Sequence, residues 1–518
     1  MGSPADSENN STPQNTSQNS PTLCMWLVAS LAVAKLLIHL LTNGRYGYFR
    51  DELYYLDAAR HLDWGYVDFA PLVAAYARVG LALGGSFRAI RLISAVAGAA
   101  TVAATMIVTQ QLGGRRFAQG LAGLAIVCAP IYLAFGNLLS MNPMEPLLWT
   151  TCLAILIHFL KSGDSRWWIG FGFVAGIALE NKHSTAFFGI AVIAAMLLTE
   201  HRREFRKPWI WLGGAAALAI FLPNLIWEVA HHFPTLEDLE NVRRSGKNVV
   251  LGPLQFVLQQ ILIVGPAQLP LWVAGLVSFF RDAQLRILGW TFTAFFLVMY
   301  FEHAKGYYLA GIYPMLLAGG AVAFERWFGG RVWPRAVAAL VVALAAVPIA
   351  FLVLPILSPE RYVAYERFLH AGVPKTEVHH ESVWPQMFAD QIGWEQLVQE
   401  VATIYWSLDP AERARTGIYA SNYGEAGAID LFGPRFGLPK AICAHQNYYY
   451  WGPPDFHGST LIVLQGDRES LESLFQSVKV AGVHYNAYGM GEENHAIYLC
   501  RGPTFTFVQI WPQLKHWN

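Results

Sequence analysis

The chain has 518 residues, of which 54% are hydrophobic and only 14% charged, and its mean hydropathy is +0.33. This composition excludes an ordinary soluble protein and is typical of a chain that crosses a membrane several times. Lys plus Arg and Asp plus Glu number 36 each, so the net charge of zero favours neither a nucleic-acid-binding protein nor an acidic disordered chain. Five cysteines without a C-x-x-C spacing argue against a zinc site, a thioredoxin-like centre and a disulfide scaffold.

The chain begins with a polar segment, residues 1–24, which is rich in Ser, Asn, Thr, Pro and Gln and lacks Lys and Arg. This composition predicts a disordered cytoplasmic tail. A cleavable signal peptide is not expected, because it needs a positively charged first region. Apolar segments follow, most of them near the ~20 residues that cross ~30 Å of hydrocarbon. These segments are 26–43, 88–112, 117–137, 144–160, 167–181, 184–199, 209–230, 255–280, 287–301, 307–324 and 334–357. They predict a polytopic α-helical membrane domain over residues 25–357, with about 11 transmembrane helices.

Basic residues in the short loops predict the orientation. Thirteen of them lie in five loops of one alternating set, at 115–116, 161–166, 202–207, 281–286 and 326–335. Because Lys and Arg are retained on the cytoplasmic side, we expect a multi-pass protein of the inner cell membrane with a cytoplasmic N-terminus. The long loops 44–87 and 231–254 and the C-terminal region then lie on the outer face.

Residues 358–518 are predicted to form an extracytoplasmic α/β domain. Apolar runs typical of strands, at 417–420, 460–464, 478–485 and 496–500, alternate with helical patterns at 359–371, 392–407 and 468–476. Cys443 and Cys500 would both lie in an oxidising compartment. A disulfide between them and two buried free thiols both remain open.

The first outer loop contains the strongest candidate for a catalytic group. Asp51 and Glu52 are adjacent carboxylates just past the first span, among many aromatic residues, where desolvation is costly. A carboxylate held there and protected from bulk water is able to take a proton from an attacking hydroxyl. The alternative is that both acids cap the N-terminus of a helix.

Further charges lie at other outer ends of the spans. Glu145 stands between two prolines at the head of a span, either as a second catalytic acid or as a charge that favours the helix N-terminus. Positive charge on the outer face calls for a reason, and an anionic phosphate leaving group supplies one. Snorkelling toward lipid headgroups is the alternative for each single residue. The cations are Lys182, Arg243, Arg244, Lys247 and Lys305.

Two other features bear on the chemistry. His303 beside Glu302, or His61 near Asp63, offers ligands for a divalent ion, but neither spacing is diagnostic, so we assign no metal residues and leave a divalent cofactor open. Gly265-Pro266 inside segment 255–280 is expected to kink or break that helix.

Several motifs together resemble the bacterial family 39 membrane glycosyltransferases, a group that includes protein O-mannosyltransferases and lipid A aminoarabinose transferases. The motifs are Asp51-Glu52, the His61-Leu-Asp-Trp-Gly-Tyr-Val-Asp68 run ending in Pro71-Leu72, Asn142-Pro143, and Lys305-Gly-Tyr-Tyr-Leu-Ala-Gly-Ile-Tyr-Pro314. The resemblance covers the membrane part of the chain. It implies a GT-C fold, a polyprenyl-phosphate sugar as donor and transfer on the outer face of the cytoplasmic membrane.

The same resemblance assigns roles residue by residue. It makes Asp51 the catalytic base, with Glu52 as its neighbour in the same motif, and places Glu145 at the second acidic position. Lys305 would bind the phosphate of the donor. Tyr307, Tyr308 and Asp68 belong to the same motifs and, with the nearby His303, are expected to bind substrate. Relatives commonly read Asp-His-Pro-Pro or Asp-Lys-Pro-Pro where this chain has Asp68-Phe-Ala-Pro71, so the subfamily and the acceptor stay open.

The predicted reaction is an inverting transfer of one sugar from a polyprenyl phosphate to an envelope lipid or glycan. Asp51 would deprotonate the acceptor, and Lys305, helped by Lys182, Arg243 or Arg244, would stabilise the departing phosphate. A protein O-glycosyltransferase is the alternative acceptor class. A lipid-linked sugar flippase or transporter, or a non-catalytic wall-assembly scaffold, would be a different class of protein. The expected partners are the lipid donor, a lipid, glycan or protein acceptor and membrane lipids, with no nucleic acid.

Overall fold

A computed structural model describes residues 21–372, 377–378, 381–452 and 455–517. Residues 1–20 of the predicted tail lie outside the described residues. Residues 21–24 contact the membrane helices, because the backbone N–H of Cys24 donates a 2.9 Å hydrogen bond to the side chain of Gln119.

The described part of the membrane region is helical. Its α-helices are α1 (Met25–Thr42), α2 (Arg50–Ala58), α3 (Leu72–Ala82), α4 (Phe87–Gln111), α5 (Arg116–Cys128), α6 (Pro130–Phe135), α7 (Met144–Ser162), α8 (Trp167–Asn181), α9 (Thr185–Leu197), α10 (Pro208–Ala230), α11 (Pro234–Ser245), α12 (Pro253–Val264), α13 (Leu269–Arg281), α14 (Arg286–Phe301), α15 (Tyr313–Phe328) and α16 (Val332–Val353). Short 3-10 helices lie at Glu200–Arg206, Pro266–Gln268 and Gly306–Gly311.

Every apolar segment predicted as a span contains helix. By length and composition alone, 5 of the described helices are able to cross a membrane, namely α1, α4, α7, α10 and α16, and up to 7 spans result if each sharply bent helix pair is one span. This confirms a multi-pass α-helical membrane protein. The number of about 11 spans is consistent with the helices but stays a prediction.

The predicted interruption of segment 255–280 is confirmed. α12 ends at Val264, and the Pro266–Arg281 part leaves it at 95°. Gly265 has φ +108°, which a residue with a side chain rarely adopts, and Pro266 offers no N–H to the preceding turn.

Small residues allow some membrane helices to touch closely. A Cβ on Gly172 in α8 would lie 1.9 Å from the carbonyl oxygen of Gly213 in α10, so these helices meet backbone to backbone. In the same way, a Cβ on Gly320 in α15 would lie 1.8 Å from the carbonyl oxygen of Leu271 in α13.

The C-terminal region is an α/β domain, as predicted. Its strands are β1 (Thr416–Tyr419), β2 (Ala441–Ile442), β3 (Thr460–Leu464), β4 (Phe475–Val483) and β5 (Ala496–Pro503). They form one sheet in the order β2-β1-β3-β5-β4, with β1 parallel to β2 and β3, and β5 antiparallel to β3 and β4. The helices are α17 (Pro359–Leu369), α18 (Gln386–Ala389), α19 (Trp394–Ser407), α20 (Pro410–Arg413), α21 (Tyr423–Phe432), α22 (Tyr448–Trp451), α23 (Arg468–Leu474) and α24 (Phe507–Leu514), with 3-10 turns at Gly433–Phe436 and Gly491–Glu493.

Cys443 and Cys500 are both buried free thiols. The disulfide considered for them is therefore not formed, and the alternative of two buried thiols holds.

Loop 44–87 joins the two parts of the molecule. Its helices α2 and α3 share one hydrophobic core with α19, α21 and the sheet, including Leu53, Val401, Ile429 and Ile462. A Cβ on Gly427 would lie 2.8 Å from the backbone of Leu53, so α21 rests directly on α2. The loop is thus a folded layer between the membrane helices and the α/β domain.

Candidate active site

Glu52 anchors the beginning of α2. It is fully buried, and its two carboxylate oxygens lie 2.8 and 2.6 Å from Nε and Nη2 of Arg91. The same carboxylate accepts the backbone N–H of Phe49 at 2.9 Å and of Leu139 at 2.7 Å. Of the two adjacent acids, Glu52 therefore caps the N-terminus of the helix. Its hydrogen bonds fix the first turn of α2 against α4.

Asp51 presents its carboxylate toward the α/β domain. The phenol of Tyr423, the first residue of α21, donates a 2.8 Å hydrogen bond to Asp51 Oδ1. The preceding residue, Arg50, forms ion pairs with Glu492 and, at 3.9 Å, with Asp390. Asp51 is only partly buried, so part of its side chain remains accessible beside the hydrogen bond from Tyr423.

A cavity of about 370 Å³ opens beside this contact. Arg50 and Tyr423 line it together with Lys247 from the loop after α11 and His445 and Gln465 from the α/β domain. It provides room for a polar ligand between the outer loops and the α/β domain.

A second carboxylate lies at the beginning of α7. Glu145 is buried, and its Oε2 accepts a 3.2 Å hydrogen bond from the ammonium of Lys182. Its Oε1 accepts the hydroxyl of Ser184 at 2.5 Å, and Lys182 also donates to Asn142 at 2.9 Å. The carboxylate therefore holds one cation in place at the end of the membrane helices.

The paired tyrosines lie against the same cation. The ammonium of Lys182 lies 4.1 Å from the ring centroid of Tyr308 and 5.5 Å from that of Tyr307. Both rings belong to the 3-10 helix Gly306–Gly311, which begins directly after Lys305. Of the two lysines predicted to bind phosphate, Lys182 thus packs on the rings of Tyr307 and Tyr308, and Lys305 directly precedes the turn that carries them.

Side chains connect α2 to this cluster. Tyr55, one helical turn after Asp51, places its hydroxyl 3.9 Å from the sulfur of Met141. The carbonyl of Met141 accepts a 3.0 Å hydrogen bond from the side chain of Asn181, the residue before Lys182. A chain of contacts thus joins α2, which carries Asp51, to the segment that carries Lys182.

Lys305 is paired with an acid from the segment between α17 and α18. Its ammonium donates a 3.0 Å hydrogen bond to Glu377. Burial acts to raise the pKa of Glu377, but the charges of Lys305, Lys247 and Arg50 outweigh it and lower that pKa to about 2. Glu377 is therefore ionised at neutral pH and occupies one face of the lysine.

Asp68 lies next to Asp51 in the same layer. It is held by a 3.2 Å hydrogen bond from the hydroxyl of Tyr54, whose ring stacks on Tyr423 with centroids 4.8 Å apart. The side chain of Asp68 is otherwise exposed to solvent. Asp68 thus contacts Tyr54, whose ring packs on the tyrosine that donates to Asp51.

Three other predicted residues lie apart from this cluster. Arg243 and Arg244 are exposed in the last turn of α11, where Arg244 pairs with Glu240 at 2.8 Å. His303 is exposed in a turn with φ +52°. Among the contacts of the described residues, none joins these three side chains to Asp51, Glu145 or Lys305.

The second pair considered for a metal has other partners. Asp63 accepts a 2.9 Å hydrogen bond from the indole of Trp227, and His61 stacks on Trp451 with ring centroids 4.4 Å apart. These contacts position loop 44–87 against α10 and the α/β domain.

Several residues at the site were not assigned a role from the sequence. Tyr423 and Glu377 come from the α/β domain, where no motif marks them, and Arg91 and Ser184 stand within apolar segments without a recognisable pattern. Asn142 is the exception, because it belongs to the Asn-Pro motif before α7.

Known proteins support this architecture. The sequence profile of the family described as dolichyl-phosphate-mannose-protein mannosyltransferase matches residues 68–227. The structure resembles ArnT from Cupriavidus metallidurans in the apo state, with a TM-score of 0.58 and 14% identity over 92% of this chain and 97% of that chain. The crystal structure of the same protein bound to undecaprenyl phosphate gives a TM-score of 0.59 and 13% identity over 92% of this chain and 98% of that chain. Curated protein sequences gave no match.

The profile match includes Asp68, Glu145 and Lys182 but ends before Lys305 and begins after Asp51. The assignment of these last two residues therefore depends on the motifs and on their place in the structure. The comparisons agree with the resemblance seen in the motifs: the chain is a membrane protein with the GT-C fold, which it shares with ArnT.

Proposed function

We propose that this protein is a glycosyltransferase that moves one sugar from a polyprenyl phosphate to an acceptor hydroxyl or phosphate of an envelope lipid or glycan. The observation that carries the proposal is the chain of contacts that joins α2, which carries Asp51, to the segment of Lys182, whose ammonium packs on the tyrosine pair just after Lys305. ArnT, which has the same fold, was crystallised with undecaprenyl phosphate. The family matched by residues 68–227 is described by its dolichyl-phosphate-linked donor.

In the proposed reaction, Asp51 accepts the proton of the acceptor group as its oxygen bonds to the anomeric carbon. The bond from that carbon to the phosphate oxygen breaks, and the electron pair leaves with the polyprenyl phosphate. Lys305 and Lys182 neutralise the charge that develops on this phosphate. Attack opposite to the leaving group inverts the anomeric configuration.

Glu145 and Glu52 take supporting roles in this proposal. Glu145 holds Lys182 against the tyrosine pair, and Glu52 fixes the first turn of α2, which carries Asp51. Asp68 keeps Tyr54 and Tyr423 in position. Arg243, Arg244 and His303 are exposed on the same predicted face, where they are placed to meet lipid headgroups or the acceptor.

We further propose that the site lies outside the inner cell membrane, with the N-terminus in the cytoplasm. The thirteen basic residues in five short loops support this orientation. It is tested by introducing single cysteines at the exposed positions Leu62 and Arg202 and labelling intact spheroplasts with an impermeant maleimide. Labelling at position 62 alone supports the proposal, whereas labelling at position 202 alone overturns it.

A polypeptide acceptor is the second candidate, because the family matched by residues 68–227 is described as acting on proteins. A flippase is a third candidate. Lys35 in α1 favours it, because this side chain is fully buried and its ammonium donates a 3.3 Å hydrogen bond to the carbonyl of Val127. Buried intramembrane cations often mark transport pathways.

The function is tested with purified protein in nanodiscs, radiolabelled polyprenyl-phosphate sugars and envelope extract from cells that lack the gene. Wild-type protein should release polyprenyl phosphate and label an acceptor, which mass spectrometry then identifies as lipid, glycan or protein. Asp51→Asn should lower transfer about 10²- to 10⁴-fold, the usual contribution of a general base. Glu302→Gln, at an exposed outer carboxylate, is the matched control and should retain activity. Full activity of Asp51→Asn, or donor movement without cleavage, would overturn the proposal.

A further inference from the structure

Three side chains converge inside the α/β domain, away from the reacting groups. One oxygen each of Glu425 and Glu493 and one ring nitrogen of His495 all lie within 4.8 Å of one another. Glu425 is fully buried and Glu493 is 6% exposed. Glu425 lies in the first turn of α21, and the other two lie in the segment that leads into β5.

Each of these side chains has its second polar atom bound elsewhere. Glu425 Oε2 accepts the backbone N–H groups of Ser421, at 2.7 Å, and Asn422, at 3.3 Å. Glu493 Oε1 accepts a 3.2 Å hydrogen bond from the side-chain amide of Asn422. The outer oxygens are therefore fixed, and the inner ones face each other.

The histidine is held in the same way. His495 Nδ1 lies 3.2 Å from the carbonyl oxygen of Ala496, and a carbonyl only accepts hydrogen bonds, so Nδ1 carries the proton. In the neutral ring this leaves a lone pair on Nε2, the atom that points at the two carboxylates. In metal-binding histidines, one ring nitrogen usually donates its N–H to a carbonyl or carboxylate, and the other ring nitrogen binds the metal.

The three inner atoms lack hydrogen-bond partners. Glu425 Oε1, Glu493 Oε2 and His495 Nε2 are all buried without one. Glu425 Oε1 and His495 Nε2 are 2.8 Å apart and form an ion pair when the ring is protonated, so a bound metal ion would have to replace that proton. Two buried carboxylates and an imidazole whose inner atoms lie within 4.8 Å of one another have the spacing of a ligand set around one cation.

We propose that Glu425, Glu493 and His495 bind a divalent transition-metal ion, with Zn²⁺ preferred and Mn²⁺ next. Two carboxylates and a neutral imidazole balance the charge of such an ion and offer the mixed O/N ligands that these metals favour, whereas Mg²⁺ and Ca²⁺ prefer oxygen alone. Three protein ligands leave a coordination position for water or another group. Glu493 also lines the 370 Å³ cavity.

The site links the α/β domain to the beginning of α2. Glu492, next to the ligand Glu493, pairs with Arg50, and Tyr423, two residues before the ligand Glu425, donates to Asp51. Asn422 caps α21 with its oxygen and holds Glu493 with its nitrogen. A bound ion would therefore fix both segments that contact residues 50 and 51, as a positioning element rather than as a catalytic one.

The proposal is tested on the full chain in detergent after EDTA treatment and gel filtration. Wild-type protein should take up one Zn²⁺ per chain, measured by mass spectrometry of the metal content and by calorimetric titration, and its melting temperature should rise with Zn²⁺ and fall again with EDTA. Glu493→Gln and His495→Gln should each weaken Zn²⁺ binding at least 10-fold. His457→Gln, at an exposed histidine of the same domain, is the control and should bind like wild type.

Folding of the variants is checked by near-ultraviolet circular dichroism, so that loss of binding is separated from loss of structure. If the cluster is only a protonated His495–Glu425 ion pair beside a neutral Glu493, Zn²⁺ and EDTA will leave the melting temperature of wild-type protein unchanged. That result, or equal Zn²⁺ binding by wild type and the double variant Glu493→Gln/His495→Gln, would overturn the proposal. Binding of Mg²⁺ in preference to Zn²⁺ would overturn the assignment of the metal.

Discussion

The phenol of Tyr423 donates a 2.8 Å hydrogen bond to the carboxylate of Asp51 from a position 372 residues later in the chain. The proposed base therefore takes one of its hydrogen bonds from the α/β domain. Burial raises the pKa of Tyr423 far above its usual value, an effect that the charge of Arg50 reduces and that of Asp51 increases, so the hydroxyl stays a donor at neutral pH.

Tyr423→Phe removes this hydrogen bond and keeps the ring that stacks on Tyr54. A hydrogen bond to a charged group contributes about 1.5–3 kcal/mol, so kcat should fall roughly 10- to 100-fold while the KM for the donor changes little. Tyr485→Phe, at an exposed tyrosine of the same domain, is the control, and equal rates for both variants would show that the contact has no part in the reaction.

Lys305→Met removes one of the two cations to which the proposed mechanism assigns the departing phosphate. Loss of one such electrostatic group should lower kcat about 10²- to 10³-fold, and Lys305→Arg should restore part of it because the charge returns. Steady-state kinetics with a radiolabelled donor measure the effect, with the exposed Lys440→Met as control. A Lys305→Met enzyme that differs from wild type only in KM would assign the lysine to binding of the donor alone.

We expect the ion pair between Glu377 and Lys305 to lose its stabilising effect at acidic pH. Its pKa is lowered to about 2 in the folded protein from 4.5, so the folded state binds this proton less readily than the unfolded state. The stabilisation is therefore complete above about pH 4.5 and is lost as the pH falls toward 2, with about 3 kcal/mol as an upper limit. Melting temperatures of wild type and Glu377→Gln, measured from pH 6 to pH 3, should converge on acidification, and a constant difference would contradict the prediction.

We expect loss of the buried ion pair between Glu52 and Arg91 to lower the stability of the folded protein strongly. Arg91→Met leaves the Glu52 carboxylate buried without its cation, which costs about 3–5 kcal/mol, so the melting temperature should fall sharply. The double variant Glu52→Gln/Arg91→Met removes both charges and should recover part of the loss. Thermal unfolding in detergent measures both, and a double variant less stable than Arg91→Met would show that hydrogen bonds of Glu52 to Phe49 and Leu139 outweigh the ion pair.

The sequence was most informative where one physical rule dominates. Membrane helices need long apolar segments whatever their neighbours, so each predicted span contains helix, and the break at Gly265-Pro266 follows from backbone chemistry alone. The strands β1, β3 and β5 likewise follow from their apolar runs. The short strand β2 and helix α21 were missed, because two residues and a Gly- and Ala-rich segment have too little periodic signal.

The sequence by itself determined the class of the protein and its α/β domain, because hydropathy and local spacing are properties of neighbouring residues, and its motifs predicted Asp51, Glu145 and Lys305 as site residues. Only the tertiary structure decided that Glu52 is bound to Arg91, that Tyr423 and Glu377 reach the site from the α/β domain, and that Cys443 and Cys500 stay apart as thiols. Each of these depends on contacts between segments far apart in the chain, which packing selects and no local pattern records.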